Sequence, residues 1–123
     1  PIYRFADVLL IYAEASNKAE GSPNTLAYKC LNRVRDRAFG DQSHQYAGLT
    51  PEKFADAVFD EFGWENVFEF KRWFQLVRTE KVDEAIGKNA AIGARLNANK
   101  ENYLFPIPVR QCELRGWKNN PGY

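Results

Sequence analysis

Methionine is missing from this 123-residue chain, and histidine occurs once, as His44. A single imidazole excludes the di-iron bundles that need two Glu-x-x-His pairs. Cysteine is almost as scarce. Cys30 falls among apolar helix neighbours and Cys112 in C-terminal loops; a bridge would require an exported protein, and two free thiols are the expectation. A surplus of either charge is lacking too: 17 Lys and Arg face 16 Asp and Glu, for a net charge of +1. That balance gives no general attraction to nucleic acid or to an acidic membrane surface. No apolar run approaches the roughly 18 residues of a membrane-spanning helix. No signal-peptide pattern is present either, and Pro1 leads straight into a strong helical period. The chain therefore reads as a piece of a longer one.

What is present is ordinary for a globular chain, with 45% apolar and 27% charged residues and length enough for one core. A single domain over 1–123 is expected. Between 2 and 20, Phe5, Val8, Leu9, Tyr12, Ala15 (or Ser16) and Ala19 recur at helical spacing and predict one buried face, with Arg4, Asp7, Glu14 and Lys18 mostly on the other side. Glu20-Gly21-Ser22-Pro23 stops that helix. Asn24 or Thr25 caps a second helix over 24–39, with Ala27, Leu31, Val34 and Ala38 on one face. So short a connection makes the two an antiparallel hairpin.

After a polar loop, Thr50-Pro51-Glu52 opens a third helix over 51–69, and a fourth follows over 71–78. Ala55, Phe59 and Phe62 form a broad apolar arc with Phe70 and Trp73, which marks the third helix as central. Gly63 inside it costs about 1 kcal/mol relative to alanine, so a closely packed neighbour is expected there. Beyond Thr79 the pattern fades, and 87–101 reads as loop. Tyr103 to Pro108 is extended, because each proline keeps its predecessor out of helical space. The fold class is all-α: antiparallel helix pairs followed by a long irregular C-terminal wrap. Leu10, Gly21 and Ala27 fit the tetratricopeptide pattern of about 34 residues loosely.

The densest stretch is Asp60 to Arg78, with six of the eighteen aromatics and seven charges. Glu61, Glu65 and Glu69 stand four apart, in one stripe of a helix. Two carboxylates about 5–10 Å apart would suit a glycosidase, but these share one helix beside Phe62 and Trp64 with no evident cleft. Like charges in a stripe repel unless cations face them. Arg35 and Arg37 of the second helix, together with Arg33, are expected to face the stripe, and Arg72 to continue it. The result would be a carboxylate–guanidinium ladder, which Glu14 would join from the first helix. Arginine suits such pairing because its planar fork binds carboxylates two-pronged. No catalytic residue, metal site or cofactor is expected. Tyr46 and Trp117 lie in loops and are the candidate exposed aromatics for stacking on a sugar ring.

Four segments, taken in order, resemble the C-terminal part of the SusD/RagB family of nutrient-binding outer-membrane lipoproteins. They are Tyr3 to Ala15 (YRFADVLLIYAEA), Leu31 to Ala38 (LNRVRDRA), Glu69 to Arg78 (EFKRWFQLVR), and Leu104 to Pro108 paired with Asn120 to Tyr123. Departures are Phe62 where the family usually has arginine, Gln75 for aspartate, and Asn119 for a glutamine-like residue. The resemblance implies tetratricopeptide-like helix pairs. It also implies a protein tethered by an N-terminal lipid to the outer membrane of Bacteroidetes, handing glycans or other nutrients to a TonB-dependent transporter. The chain would then be scaffold, with the main ligand loops and the lipid anchor outside it. The alternative is a free-standing helical-repeat interaction module. An isolated piece would expose apolar surface and favour dimers.

Overall fold

Each of the three long helices starts at a polar group that satisfies its first free N–H groups and stops where the chain turns left-handed or runs out of helical partners. In the computed structural model, which describes residues 2–87 and 103–123, α1 spans Phe5–Glu20, α2 Thr25–Phe39 and α3 Pro51–Glu65. At the head of α1 the Asp7 carboxylate accepts the Arg4 backbone N–H at 2.7 Å. Asn24 caps α2 by accepting the Ala27 N–H at 2.8 Å, and Thr50 caps α3 through the Lys53 N–H at 3.4 Å, with Pro51 at the first turn. Gly21 and Gly40, at φ 69° and 80°, end α1 and α2.

The chain divides into two compact units, Pro1–Arg72 and Trp73–Tyr123. In the first, α1 packs against both α2 and α3, and α2 touches α3. Leu10, Ala13, Ala27, Leu31, Val34, Phe54 and Val58 form the core. The Tyr28 ring meets Phe54 edge-on at 4.9 Å between centroids, while its hydroxyl accepts the Leu49 N–H at 2.7 Å. Asn17 Nδ2 donates to the Pro51 carbonyl at 2.9 Å, pinning the start of α3 to α1. Tetratricopeptide-like helix pairing is the architecture.

Three expectations are corrected here. The buried side of α1 is not Phe5, Val8 and Tyr12, which are exposed, but Asp7, Leu10, Ala13, Ser16 and Asn17. In α3, likewise, Phe54, Ala57, Val58 and Glu61 are buried, while the arc of Ala55, Phe59 and Phe62 is only half-buried. Both helices are apolar on more than one side, and periodicity alone cannot tell which side the neighbours occupy. The α2 face fares better, with Ala27, Leu31 and Val34 buried, although Ala38 is exposed. The third correction concerns length. α3 ends at Glu65: the Asn66 N–H still makes the helical i→i−4 bond to the Phe62 carbonyl (3.2 Å), which the Asn66 side-chain amide shares (3.1 Å), but the Val67 N–H already turns to the Trp64 carbonyl only three residues back. Residues 66–70 form a turn in which Phe68 and Phe70 stand at φ 64° and 58°.

The second unit holds most of α4 (Arg72–Arg78), with α5 (Val82–Gly87) and α6 (Val109–Arg115). Leu104 to Pro108 is extended or bent; the Phe105 ring lies 6.1 Å from Trp73. Asn119 accepts the Ile107 N–H at 2.7 Å, and Asn120 Nδ2 donates to the Phe105 carbonyl at 2.6 Å. Cys30 is buried, Cys112 is half-buried, and both are free. The expected loop at 87–101 lies, apart from Gly87, outside the described residues.

Phe70 is 91% exposed in a left-handed conformation, which costs a residue with a Cβ about 1–2 kcal/mol. Replacing it with glycine relieves that strain at some cost in chain entropy, and Phe70→Gly should raise stability by about 0.5–1 kcal/mol. Phe54→Ala, which opens a cavity in the core, should lower it by about 3–5 kcal/mol. Urea unfolding midpoints measure both.

Candidate functional site

Glu61 is buried on α3, and Arg35, buried on α2, meets it with Nη1 to Oε2 at 2.6 Å. The same guanidinium donates through Nε to the His44 carbonyl at 2.7 Å. Its Cζ lies 4.2 Å from the centre of the Tyr46 ring and 5.2 Å from that of Phe39. Arg35 therefore ties α2, α3 and the 39–49 loop together. Burial pushes the Glu61 carboxyl above its usual range, and Arg35 only partly offsets that effect.

One turn further along α3, Glu65 lies between two guanidiniums. Arg4 Nη1 reaches Oε1 at 2.5 Å, and Arg37 Nη2 binds Oε2. Arg4 also donates to the Glu65 carbonyl at 2.8 Å and grips Glu69 two-pronged, through Nη2 at 2.7 Å and Nε at 3.2 Å. Lys71 bridges Glu69 at 3.1 Å and Asp7 at 2.7 Å. The Asp7 side chain is fully buried. Burial drives its carboxyl up, but the Lys71 ammonium and the Arg4 N–H outweigh that and hold it below the ordinary range. Hydrogen bonds from Lys71 and Arg4 lower Glu69 as well.

The structure thus brings Arg35, Arg37, Glu61, Glu65 and Glu69 together and leads two other expected members elsewhere. The stripe does not continue to Arg72, because α3 has ended. Arg72 instead donates to the Phe59 carbonyl at 2.8 Å, and its Cζ lies 4.1 Å from the centre of the Phe59 ring. It fills the space that Gly63 leaves: a Cβ at Gly63 would lie 2.6 Å from Arg72 Nη1. Glu14 bridges Lys18, four residues on, at 3.1 Å. Arg33 lies over the Phe5 ring at 5.0 Å. Three members went unread in the sequence: Arg4, Asp7 and Lys71. Asp7 sits three residues after Arg4, the spacing of an acidic helix cap, and that was the available signal.

The SusD family profile matches residues 1–123. The chain belongs to the SusD family. Two SusD-like proteins of Formosa agariphila are similar to it: one is 35% identical and covers 98% of this chain and 25% of its own, the other 38% identical over 93% and 21%. Among solved structures, a SusD homolog from Bacteroides thetaiotaomicron superposes with a TM-score of 0.77 at 30% identity. A SusD superfamily protein from Parabacteroides distasonis gives 0.79 at 29%. Each covers 98% of this chain, which spans 26% of theirs. The chain spans about a quarter of the length of the relatives it matches.

Placed on the structure, the segments that resembled the SusD/RagB family hold these contacts. Tyr3 to Ala15 supplies Arg4 and Asp7, Leu31 to Ala38 supplies Arg35 and Arg37, and Glu69 to Arg78 begins with Glu69 and Lys71. The final pair is joined through Asn119 and Asn120.

The two loop aromatics part company. Tyr46 is half-buried beneath Arg35 and exchanges hydrogen bonds with Asn32 at 2.9 and 3.0 Å. It is not an exposed platform. Trp117 is 56% exposed, with the Arg115 guanidinium 5.8 Å from its ring centre. Among the described residues no cluster of three His, Cys, Asp or Glu could hold a metal ion.

Arg35→Ala should cost about 3–5 kcal/mol, because it strands a buried carboxylate. Glu61→Gln, which keeps the shape and an acceptor for Arg35 but leaves its buried guanidinium without a counter-charge, should also be destabilising. The pH dependence has two signs. Asp7 and Glu69 titrate lower folded than unfolded, so their contribution is present above about pH 4 and lost as the pH falls through the folded values. Glu61 titrates higher folded than unfolded, so its contribution is present at low pH and fades as pH rises. Lys71→Met removes the partner shared by Asp7 and Glu69 and should flatten the acid limb of a stability–pH profile. A limb as steep as in the unsubstituted chain would refute that assignment.

Proposed function

We propose that this chain is the scaffold portion of a cell-surface SusD-like protein that captures a glycan or another nutrient and delivers it to a TonB-dependent outer-membrane transporter. The parent protein would be lipid-anchored in the outer membrane, with its main ligand loops outside the chain described here. The observation that carries the reading is the family match over the whole chain, with the charged residues of its segments engaged in one another. Glu61, Glu65 and Glu69 each face a cation, which favours packing over acid–base chemistry and a non-catalytic role. Arg35, Arg37, Glu61, Glu65 and Glu69, joined by Arg4, Asp7 and Lys71, act as the clamp that holds α3 to its neighbours.

Trp117 is the remaining candidate for a ligand contact within the chain, since it is more than half exposed and an exposed indole can stack on a sugar ring. A free-standing helical-repeat interaction module is the second reading, favoured by the exposed apolar side of α1. Affinity electrophoresis of the native gene product through gels cast with soluble polysaccharides separates the two. Retardation by at least one polysaccharide, together with co-purification of a large outer-membrane β-barrel, is the expected result. No retardation across the panel and no such partner would favour the interaction module. Trp117→Ala should change stability by less than about 0.5 kcal/mol, and reduced retardation in that variant would assign Trp117 to the ligand.

A further inference from the structure

In the turn after α3, Phe68 and Phe70 stand in the left-handed region, at φ 64° and 58°, where a residue with a Cβ is strained. Both are more than nine-tenths exposed, and neither joins the core of the first unit. The residues that alternate with them behave differently. Glu69 and Lys71 reach partners 65 and 64 residues away in sequence. Arg4 grips Glu69 through Nη2 at 2.7 Å and Nε at 3.2 Å. Lys71 Nζ lies 2.7 Å from Asp7 Oδ2 and 3.1 Å from Glu69 Oε2. Asn66, buried at the start of the turn, accepts from Arg4 Nη2 at 3.4 Å. Backbone strain persists only where its surroundings over-determine it. Here the surroundings are charges.

We propose that residues 66–71 form a charge-held latch between α3 and α4, which opens while α1, α2 and α3 stay packed once Asp7 and Glu69 lose their negative charge. Charged groups reach the turn from each neighbouring element. Arg4 and Asp7 come from the head of α1, Glu65 from the end of α3, and Arg37 from α2 behind it. Arg72, which follows the turn, is engaged at the Phe59 carbonyl. Burial drives the Asp7 carboxyl up, but Lys71 and the Arg4 N–H outweigh it, and Lys71 and Arg4 lower Glu69 as well. Both titrate lower folded than unfolded, so the latch is closed above about pH 4 and loosens as pH falls through the folded values. A neutral Asp7 no longer keeps the Lys71 ammonium from water, and the strain at Phe68 and Phe70 then favours opening. The helices have their own supports. Leu10, Leu31, Phe54 and Val58 pack without the turn, and Arg35 with Glu61 joins α2 to α3 independently of it. Such a segment can open below the free energy of global unfolding.

Amide hydrogen exchange in the native gene product that carries this sequence, read by mass spectrometry with fragmentation to single residues, tests the latch. The Val67 and Glu69 amides, which donate to Trp64 and Asn66, report the turn. The Leu31 and Phe54 amides report the helices. From about pH 6.5 to about pH 3, after correction for intrinsic rates, exchange at Val67 and Glu69 should rise at least about tenfold, and at Leu31 and Phe54 less than about twofold. Lys71→Met should give the turn its fast exchange already at about pH 6.5, with little further gain on acidification. Where that variant fails to fold because it strands Asp7, Glu69→Gln at a partly exposed site decides, with faster turn exchange at about pH 6.5 and a smaller acid gain. Turn exchange that acid leaves unchanged would overturn the proposal. So would loss of protection in turn and helices in one step, or a folded variant whose turn exchanges as slowly as the unsubstituted one.

Discussion

The buried pair of Arg35 and Glu61 is the contact on which the first unit depends, because it puts charge where three segments meet. A buried ion pair is often no more stabilising than well-packed apolar side chains would be, since each ion must leave water. Its effect is one of direction. Arg35 aims one nitrogen at Glu61 on α3 and another at the His44 carbonyl, and its flat guanidinium lies over Tyr46. Moving either α3 or the loop would break a short, angular contact. A leucine would tolerate such sliding.

Glu65 extends this logic outward and joins the network to the start of α1. It takes Arg37 from α2 on one oxygen and Arg4, the residue capping α1, on the other. Arg4 and Lys71 then draw in Glu69 and the buried Asp7. Positive and negative groups alternate along this path, so no carboxylate of the stripe is left to repel its neighbour. This also accounts for the turn after α3. Glu69 is drawn back toward Arg4 and Lys71 by a chain that leaves the helix at Asn66, at the cost of two phenylalanines in left-handed conformations.

Much of this was legible in the sequence. Caps and stops for α1 and α2 were written in Asn24, Gly21 and the short connection, and the four-residue spacing of the glutamates called for cations opposite. Gly63 announced a close neighbour, and that neighbour is the Arg72 guanidinium. What could not be read was facing. Periodicity finds an apolar side by contrast with a polar one, and on α1 the polar residues Asp7 and Asn17 are the buried ones. Each is held by a partner far away in sequence, Lys71 or the Pro51 carbonyl. Long-range pairing of that kind leaves no periodic trace. Arg72 was misplaced for a related reason: extrapolating the stripe assumed a helix that in fact ends at Glu65.

The inverted faces follow from one physical requirement. A helix in the middle of a layered helical protein needs apolar surface on two sides, and polar groups on either side survive burial only when paired. α1 fits that description: on the side that α2 and α3 cover, Asp7 is held through Oδ2 and Asn17 through Nδ2, and the other side is almost wholly apolar. α3 repeats the pattern, with Glu61 paired within and Trp64 exposed. A surface helix would have placed these charges in water, where a pair contributes little. Putting them inside fixes the register of the hairpin and of α3 while leaving the opposite apolar sides free to stack. The same buried pairs that set the register of α2 and α3 on α1 therefore leave the apolar residues of α1 on its other side exposed in this chain.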